Sequence, residues 1–179
     1  DRVTRPAGTH ALALQERAVE IRGMVGNVLR MYGDDLAILS SDYTYWDEMV
    51  EFVDKRDPAW AAQNLDAALA TFDAQALWVY DSEFGRIYTA TAEGCAHLAA
   101  EAPSAAVLRT AGDARHLSHF FAPVAGGHME FRGAGVHPTA DEERKTRPRG
   151  YLVVGRLWDP DRLAALGRAL GSSVSLVPA

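Results

Sequence analysis

The chain has 179 residues, 48% of them hydrophobic, which is enough for one compact domain with its own core. Its net charge of −6 argues against nucleic acid or an anionic membrane surface as the main partner. The single Cys95 excludes an internal disulfide framework, and no apolar run approaches the ~18 residues that span a bilayer.

Asp1 opens the chain and the first methionine is Met24, so we expect an excised or processed piece rather than a natural translation start. Asp1 to Gly8, with Pro6 and Gly8, reads as a lead-in, and Thr9 as an N-cap. Leu14, Ala18, Ile21, Val25, Val28, Tyr32, Asp35, Leu39, Asp42, Trp46, Met49 and Val53 keep a 4-3 spacing, apolar or aromatic except at Asp35 and Asp42. The spacing predicts one helix from Thr9 to Asp54, bent at Gly33-Asp34-Asp35 if anywhere. At 1.5 Å per residue it would be on the order of 65 Å long. Such a helix outruns the core it could cover, so its seam Leu14–Val28 is expected to form a homodimer contact. Gly23-x-x-Gly26 within it reads as incidental.

Pro58 starts a pair of short helical stretches reaching Phe72. Ala76–Tyr80 and Arg86–Thr91 read as a hairpin whose turn, Asp81 to Gly85, places Gly85 where a positive φ is needed. Ala92 to Ala114 is alanine-rich, with a helix expected within Ser104–Thr110 and loop elsewhere. A second hairpin joins Leu117–Val124 to His128–Val136, and Met129 and Phe131 alternate with Glu130 and Arg132, which puts one face inside. The charge-dense Asp141–Arg147 reads as a loop. Tyr151–Trp158 is the strongest strand, Asp159-Pro160 caps a helix over 160–170 ending at Gly171, and Val174–Val177 reads as an edge strand. The order predicts an α+β fold with an antiparallel sheet packed on a long N-terminal helix.

The run Asp42-Tyr43-x-x-Trp46-Asp47-Glu48 with Phe52 is followed by Trp60-x-x-x-Asn64-Leu65, a strand into Asp81-x-x-x-Gly85, and Pro148-Arg149-Gly150-Tyr151-Leu152-Val153-Val154-Gly155-Arg156. In these residues the chain resembles, over about residues 12–177, the fourth class of CHASE domains, extracellular sensory modules of receptors related to the Cache (PAS-like) sensors. The resemblance implies a single sensor domain over 1–179, its PAS-like sheet spanning 76–177, set between two transmembrane helices on the periplasmic or extracellular side of the membrane. Outputs in such receptors are commonly diguanylate cyclase, phosphodiesterase or histidine kinase modules. The Asp141–Arg147 loop departs from the family's pattern. The Tyr-x-x-x-x-Arg-x-Trp motif with which related Cache receptors hold amino acids does not occur, so an amino-acid ligand is not implied.

Tyr80, Tyr88, His119, Phe121 and Arg132 lie on the strands that floor the pocket of PAS-like sheets, and Arg132 or His119 would suit an anionic small molecule. The reading we favour for Asp42, Trp46, Asp47, Asn64 and Arg156 is a structural joint, with Trp46 at the helix–sheet interface and Asp47 paired to Arg156. His116-x-x-His119 with His128 is not expected to hold a metal, since residues i and i+3 of a strand face opposite ways. Cys95 reads as a small packing residue. No hydrolase, metalloprotease or phosphate-loop motif occurs, so no catalytic residue and no cofactor is expected. The rival reading is a module that binds no small ligand and instead dimerises or docks a periplasmic protein.

Overall fold

The computed structural model describes residues 34–112 and 116–176. The expected helix over 9–33, with the Leu14–Val28 seam and Gly23-x-x-Gly26, lies outside the described residues. Residues 34–42 are helical (α1), and α2 (Asp47–Lys55) follows after a break. Then come α3 (Pro58–Ala61), a π-helical turn (Ala62–Asp66) and α4 (Ala67–Thr71). The first hairpin is β1 (Ala76–Asp81) and β2 (Arg86–Thr91), followed by a 3-10 turn (Ala96–Glu101) and α5 (Ala105–Ala111). The second hairpin is β3 (Leu117–Val124) and β4 (Gly127–Val136), and β5 (Gly150–Trp158) leads into α6 (Pro160–Leu170). The five strands form one antiparallel sheet in the order β2-β1-β5-β4-β3.

The α+β class and both hairpins stand where alternation put them. Four expectations need correction. The helix does not run on to Asp54: it breaks at Tyr43–Trp46, with Trp46 extended at φ −152°. Within α1 the core side carries Leu36, Leu39 and Ser40, while Asp35 and Asp42 are exposed, so the acids interrupting the 4-3 spacing face water. In the first turn the left-handed residue is Phe84 (φ 67°), not Gly85. Gly85 is needed for room instead: the Asp81 carboxylate accepts the N–H groups of Glu83 and Gly85, and a Cβ at Gly85 would come within 2.7 Å of it. Finally, residues 173–176 form no strand, and a 3-10 turn occupies part of the stretch taken for loop.

Alternation divides the sheet into two faces. Leu77, Val79, Ala90, Val136, Leu152 and Val154 meet α1 to α4 on one face, with Leu36, Leu39, Met49, Phe52 and Leu65. Aromatic rings complete this layer: Tyr43 stands edge-on to Trp46 and Phe72, Trp60 lies against Trp46, and Phe52 stacks on Trp60 at 5.2 Å. On the other face Ala76, Trp78, Tyr80, Met129, Phe131, Val153 and Leu157 are, among the described residues, covered by the 3-10 turn and α5, through Leu98 and Leu108, with Phe84, Cys95 and Ala102 packed at the margin. Local caps match the sequence: Ser104 accepts the Val107 N–H, Asp159 accepts the Arg162 N–H at 2.7 Å, and Gly171 closes α6 at φ 61°.

Candidate functional site

The thinly covered face holds a cavity of about 300 Å3. Its floor is Gly133, Ala134, Tyr151 and Val153 with Ser118 of β3, its roof is Leu108, Arg109 and Gly112 at the end of α5, and Phe84 and His116 close its sides. The Phe84 ring stacks on Tyr151 with centroids 4.4 Å apart and planes 15° apart, and the Arg109 guanidinium stands 5.0 Å over Phe84. His116 has φ 58°, a left-handed conformation that a bulky side chain adopts at a cost of order 1–3 kcal/mol. A larger groove of about 770 Å3 lies open between α6 and residues 171–176. Trp158, His128 and Arg168 are among the residues that line it.

A second constellation begins where the first ends. The His116 ring lies 5.7 Å from that of His137, a fully buried residue at the end of β4. His137 donates its backbone N–H to the Thr44 carbonyl at 2.8 Å, and Tyr45 bridges to the same residue, so the break between α1 and α2 is stitched to the sheet. Arg144, 5% exposed, supports the stitch from the charge-dense loop. It donates to Thr44 Oγ1 at 3.0 Å, to the Gly135 carbonyl at 2.7 Å and to the Ser41 carbonyl at 2.6 Å. The Tyr45 hydroxyl donates to the Thr139 carbonyl, the Asp47 carboxylate accepts the Thr139 N–H at 2.9 Å, and Arg144 also lies over the Tyr45 ring.

Asp141 holds that loop in shape. Its carboxylate accepts the Thr146 hydroxyl and the N–H groups of Thr146 and Lys145, and meets His137 Nδ1 at 3.0 Å. Those bonds keep its pKa far below the usual carboxylate range. Burial pushes the His137 pKa down, the Asp141 bond works against burial, and the Arg144 charge adds to it, with a net lowering. Among the described residues His137 Nε2 has no hydrogen-bond partner.

The residues expected to bind ligand do not share one site. Tyr80 is on the cavity's face but sealed beneath the 3-10 segment, its hydroxyl donating to the Pro103 carbonyl at 2.9 Å, and burial pushes its pKa up to about 12. Tyr88 is on the helix-covered face, where its hydroxyl donates to Asp66 at 2.7 Å. His119 and Arg132 pair across the strands on that same face and both meet Glu130 Oε1, at 3.0 and 3.4 Å. Trp158 Nε1 donates to the other oxygen of Glu130. Burial pushes the Glu130 pKa up, but the bonds from His119 and Trp158 and the Arg132 charge outweigh it, leaving a net lowering. Phe121 is 44% exposed beside His119.

The expected Asp47–Arg156 pair does not form. Asp47 serves the 137–146 loop, while Arg156 donates to the carbonyls of Phe72 and Asp73 at 2.8 and 3.1 Å, closing the end of α4. The two lie at different ends of the helical layer. Trp46 does sit in the helix–sheet layer, Asn64 donates to the Trp60 carbonyl inside the π turn, and Asp42 is exposed. His116 and His119 diverge onto opposite faces, and among the described residues no cluster of metal-ligating side chains occurs.

Sequence reasoning did not single out Phe84, Arg109 or Tyr151, and it took His116 as a solvent-facing or pocket-lining histidine rather than a metal ligand. They come from a turn, a helix end, a strand approach and a strand, with no shared periodicity.

One sealed face, one hollowed face and a stitched helix break thus define an α+β domain built on an antiparallel sheet. Residues 29–177 match the CHASE4 domain model, and the chain belongs to the CHASE4 family, whose members are sensory domains of the extracellular CHASE type. No curated protein matches the chain.

Proposed function

We propose that this chain is the extracytoplasmic ligand-sensing domain of a bacterial transmembrane receptor, and that a small molecule in the cavity under α5 changes the stitch at residues 43–46. The observation that carries the proposal is the unbroken line of contact from the cavity wall at His116, through His137, to Thr44 and the break between α1 and α2. The strand order β2-β1-β5-β4-β3 supports a PAS-like, Cache-related sheet. The absence of catalytic motifs from the sequence fits sensing rather than turnover.

In this reading α1 continues towards a membrane helix, a second membrane helix follows the domain, and the output is a diguanylate cyclase, phosphodiesterase or histidine kinase module. No described helix is long and apolar enough to cross a membrane. A ligand preferring one arrangement of the stitch by about 5.5 kcal/mol turns a 1:99 mixture into 99:1. A second reading, a homodimerisation or docking module using the N-terminal helix, is favoured by Ile38, 47% exposed on the outer side of α1.

Native mass spectrometry of the freshly purified chain, beside its denatured mass, tests the proposal. The expected result is a retained small molecule released on denaturation, whose removal raises amide exchange at 41–46 and 138–146. Retention with unchanged exchange at those segments would sever the cavity from the stitch. A bare dimer that becomes monomeric with Ile38→Glu would favour the second reading.

A further inference from the structure

Resting on the sensor reading above, we infer that the ligand of the cavity under α5 is a small organic carboxylate on a flat apolar body. Its carboxylate sits between Arg109 and His116, and its body lies along the Phe84–Tyr151 stack.

The charge of the lining is one-sided. Arg109 and His116 line the cavity with the phenol of Tyr151 and the hydroxyl of Ser118, and among the described residues no Asp or Glu side chain lines it. Glu83, the acid whose field reaches Tyr151, is engaged by Arg147. Among the described residues the Arg109 guanidinium has no hydrogen-bond or ion-pair partner; it is held over the Phe84 ring. Arg109 is itself exposed, whereas less exposed arginines among the described residues are committed: Arg144 to three oxygens, Arg156 to two carbonyls, Arg162 to both oxygens of Asp73. A cation left open at a cavity mouth is available for a forked bond to a carboxylate.

Geometry decides between anions. The roof is the C-terminal end of α5, Leu108 to Gly112, so the cavity has no cradle of helix N-terminal N–H groups such as phosphates use. The remaining wall is apolar and flat: two rings in parallel contact, with Leu108 and Val153. The floor is level at Gly133, where a Cβ would come within 2.6 Å of Ser118 Oγ. At ~30 Å3 per water-sized group, about 300 Å3 takes roughly ten non-hydrogen atoms. That is the size of a ring with one acidic substituent.

His116 gives the ligand a handle on the stitch. Its strained backbone carries the carbonyl that accepts the Gly135 N–H, and its ring touches His137. A carboxylate drawing the imidazole towards Arg109 would pull it off His137, whose backbone holds Thr44.

The test is calorimetric titration of the full 179-residue chain with benzoate, phenylacetate, the neutral isostere benzamide and inorganic phosphate. Each is repeated on Arg109→Gln and on Arg132→Gln, the latter on the opposite face. The expected result is that both carboxylates bind, that benzamide and phosphate bind at least about tenfold more weakly, and that Arg109→Gln removes about tenfold from the carboxylates alone. Arg132→Gln should leave all affinities unchanged.

Benzamide or phosphate binding as well as benzoate, an unaltered affinity in Arg109→Gln, or no carboxylate binding at millimolar concentration overturns the assignment. The two readings fail separately. A neutral molecule retained in native mass spectrometry that protects the cavity residues would sink the carboxylate and leave the sensor. Benzoate binding that leaves amide exchange at 41–46 and 138–146 untouched would sink the sensor's relay and leave the carboxylate.

Discussion

The two faces of the sheet are built from similar strands and treated in opposite ways. On the helix-covered face the rings of Tyr43, Phe52, Trp46, Trp60, Phe72 and Tyr88 interlock, and the buried Glu130 is satisfied by His119, Arg132 and Trp158. The other face has a short 3-10 turn and a two-turn helix over it, an open guanidinium, a left-handed histidine and empty volume. Close packing gives stability and leaves nothing to bind; the hollow face gives up dispersion and polar satisfaction for room. The domain has a packed back and a hollow front, and contacts from His116 through His137 lead from the hollow to the break at 43–46.

The comparison is sharpest in paired truncations, measured by urea unfolding. Phe52→Ala, on the packed face, should cost about 3–5 kcal/mol. Phe84→Ala, on the hollow face, mainly loses one stacked contact and should cost about 1.5 kcal/mol or less. Equal losses would mean that both faces carry the fold alike. Next in size is Arg144→Ala, which removes a charged donor from the Gly135 and Ser41 carbonyls and from Thr44 Oγ1 and should cost about 2–3 kcal/mol. Its amide exchange should rise first at 41–46; a loss spread evenly over the sheet would show that the stitch is not a separate unit.

The smallest effect is a pH dependence. His137 is buried against Asp141, Thr146, Arg144 and His116, and its folded pKa lies below its unfolded value of about 6.5. The unfolded chain therefore takes up the proton first. Stability is complete above pH ~6.5, falls as pH drops towards the folded value, and levels off below it. Thermal melts across this window should show the slope, and His137→Gln should flatten it. A flat wild-type profile would mean that burial does not disfavour the charged imidazole, its folded and unfolded pKa values being the same.

Much of the scaffold was legible because its signals are local. Alternation in Met129–Arg132, the turn at Ala125–Gly127 and the Asp159-Pro160 cap each act within a few residues, and the strands and α6 fell where they pointed. The helix break was not legible, because Tyr43, Trp46 and Met49 keep helical spacing straight through it. What stops the helix is a set of bonds from residues some ninety to a hundred positions later: the His137 N–H to Thr44, Arg144 to Ser41, and the Thr139 N–H to Asp47. The same distance hid the partner of Asp47. Pairing Asp47 with Arg156 was chemically reasonable, yet Arg156 is consumed by the open carbonyls at the end of α4. The cavity failed to show for a related reason, since strand membership names a face only once the register is known. Tyr80 and Tyr88 proved to be on opposite sides.

The central position of β5 bears on how the chain is made. In the sheet the two hairpins are joined by this last strand, which bonds β1 on one side and β4 on the other. Until residue 158 has been synthesised and delivered, the nascent chain holds two separate ribbons, each marginal alone and each with a bare inner edge. The domain therefore assembles by a closing insertion rather than by growth from its first element. Any stop codon or protease cut before Gly150 leaves a sticky pair of hairpins, not half a sensor, and quality control has an all-or-nothing product to judge.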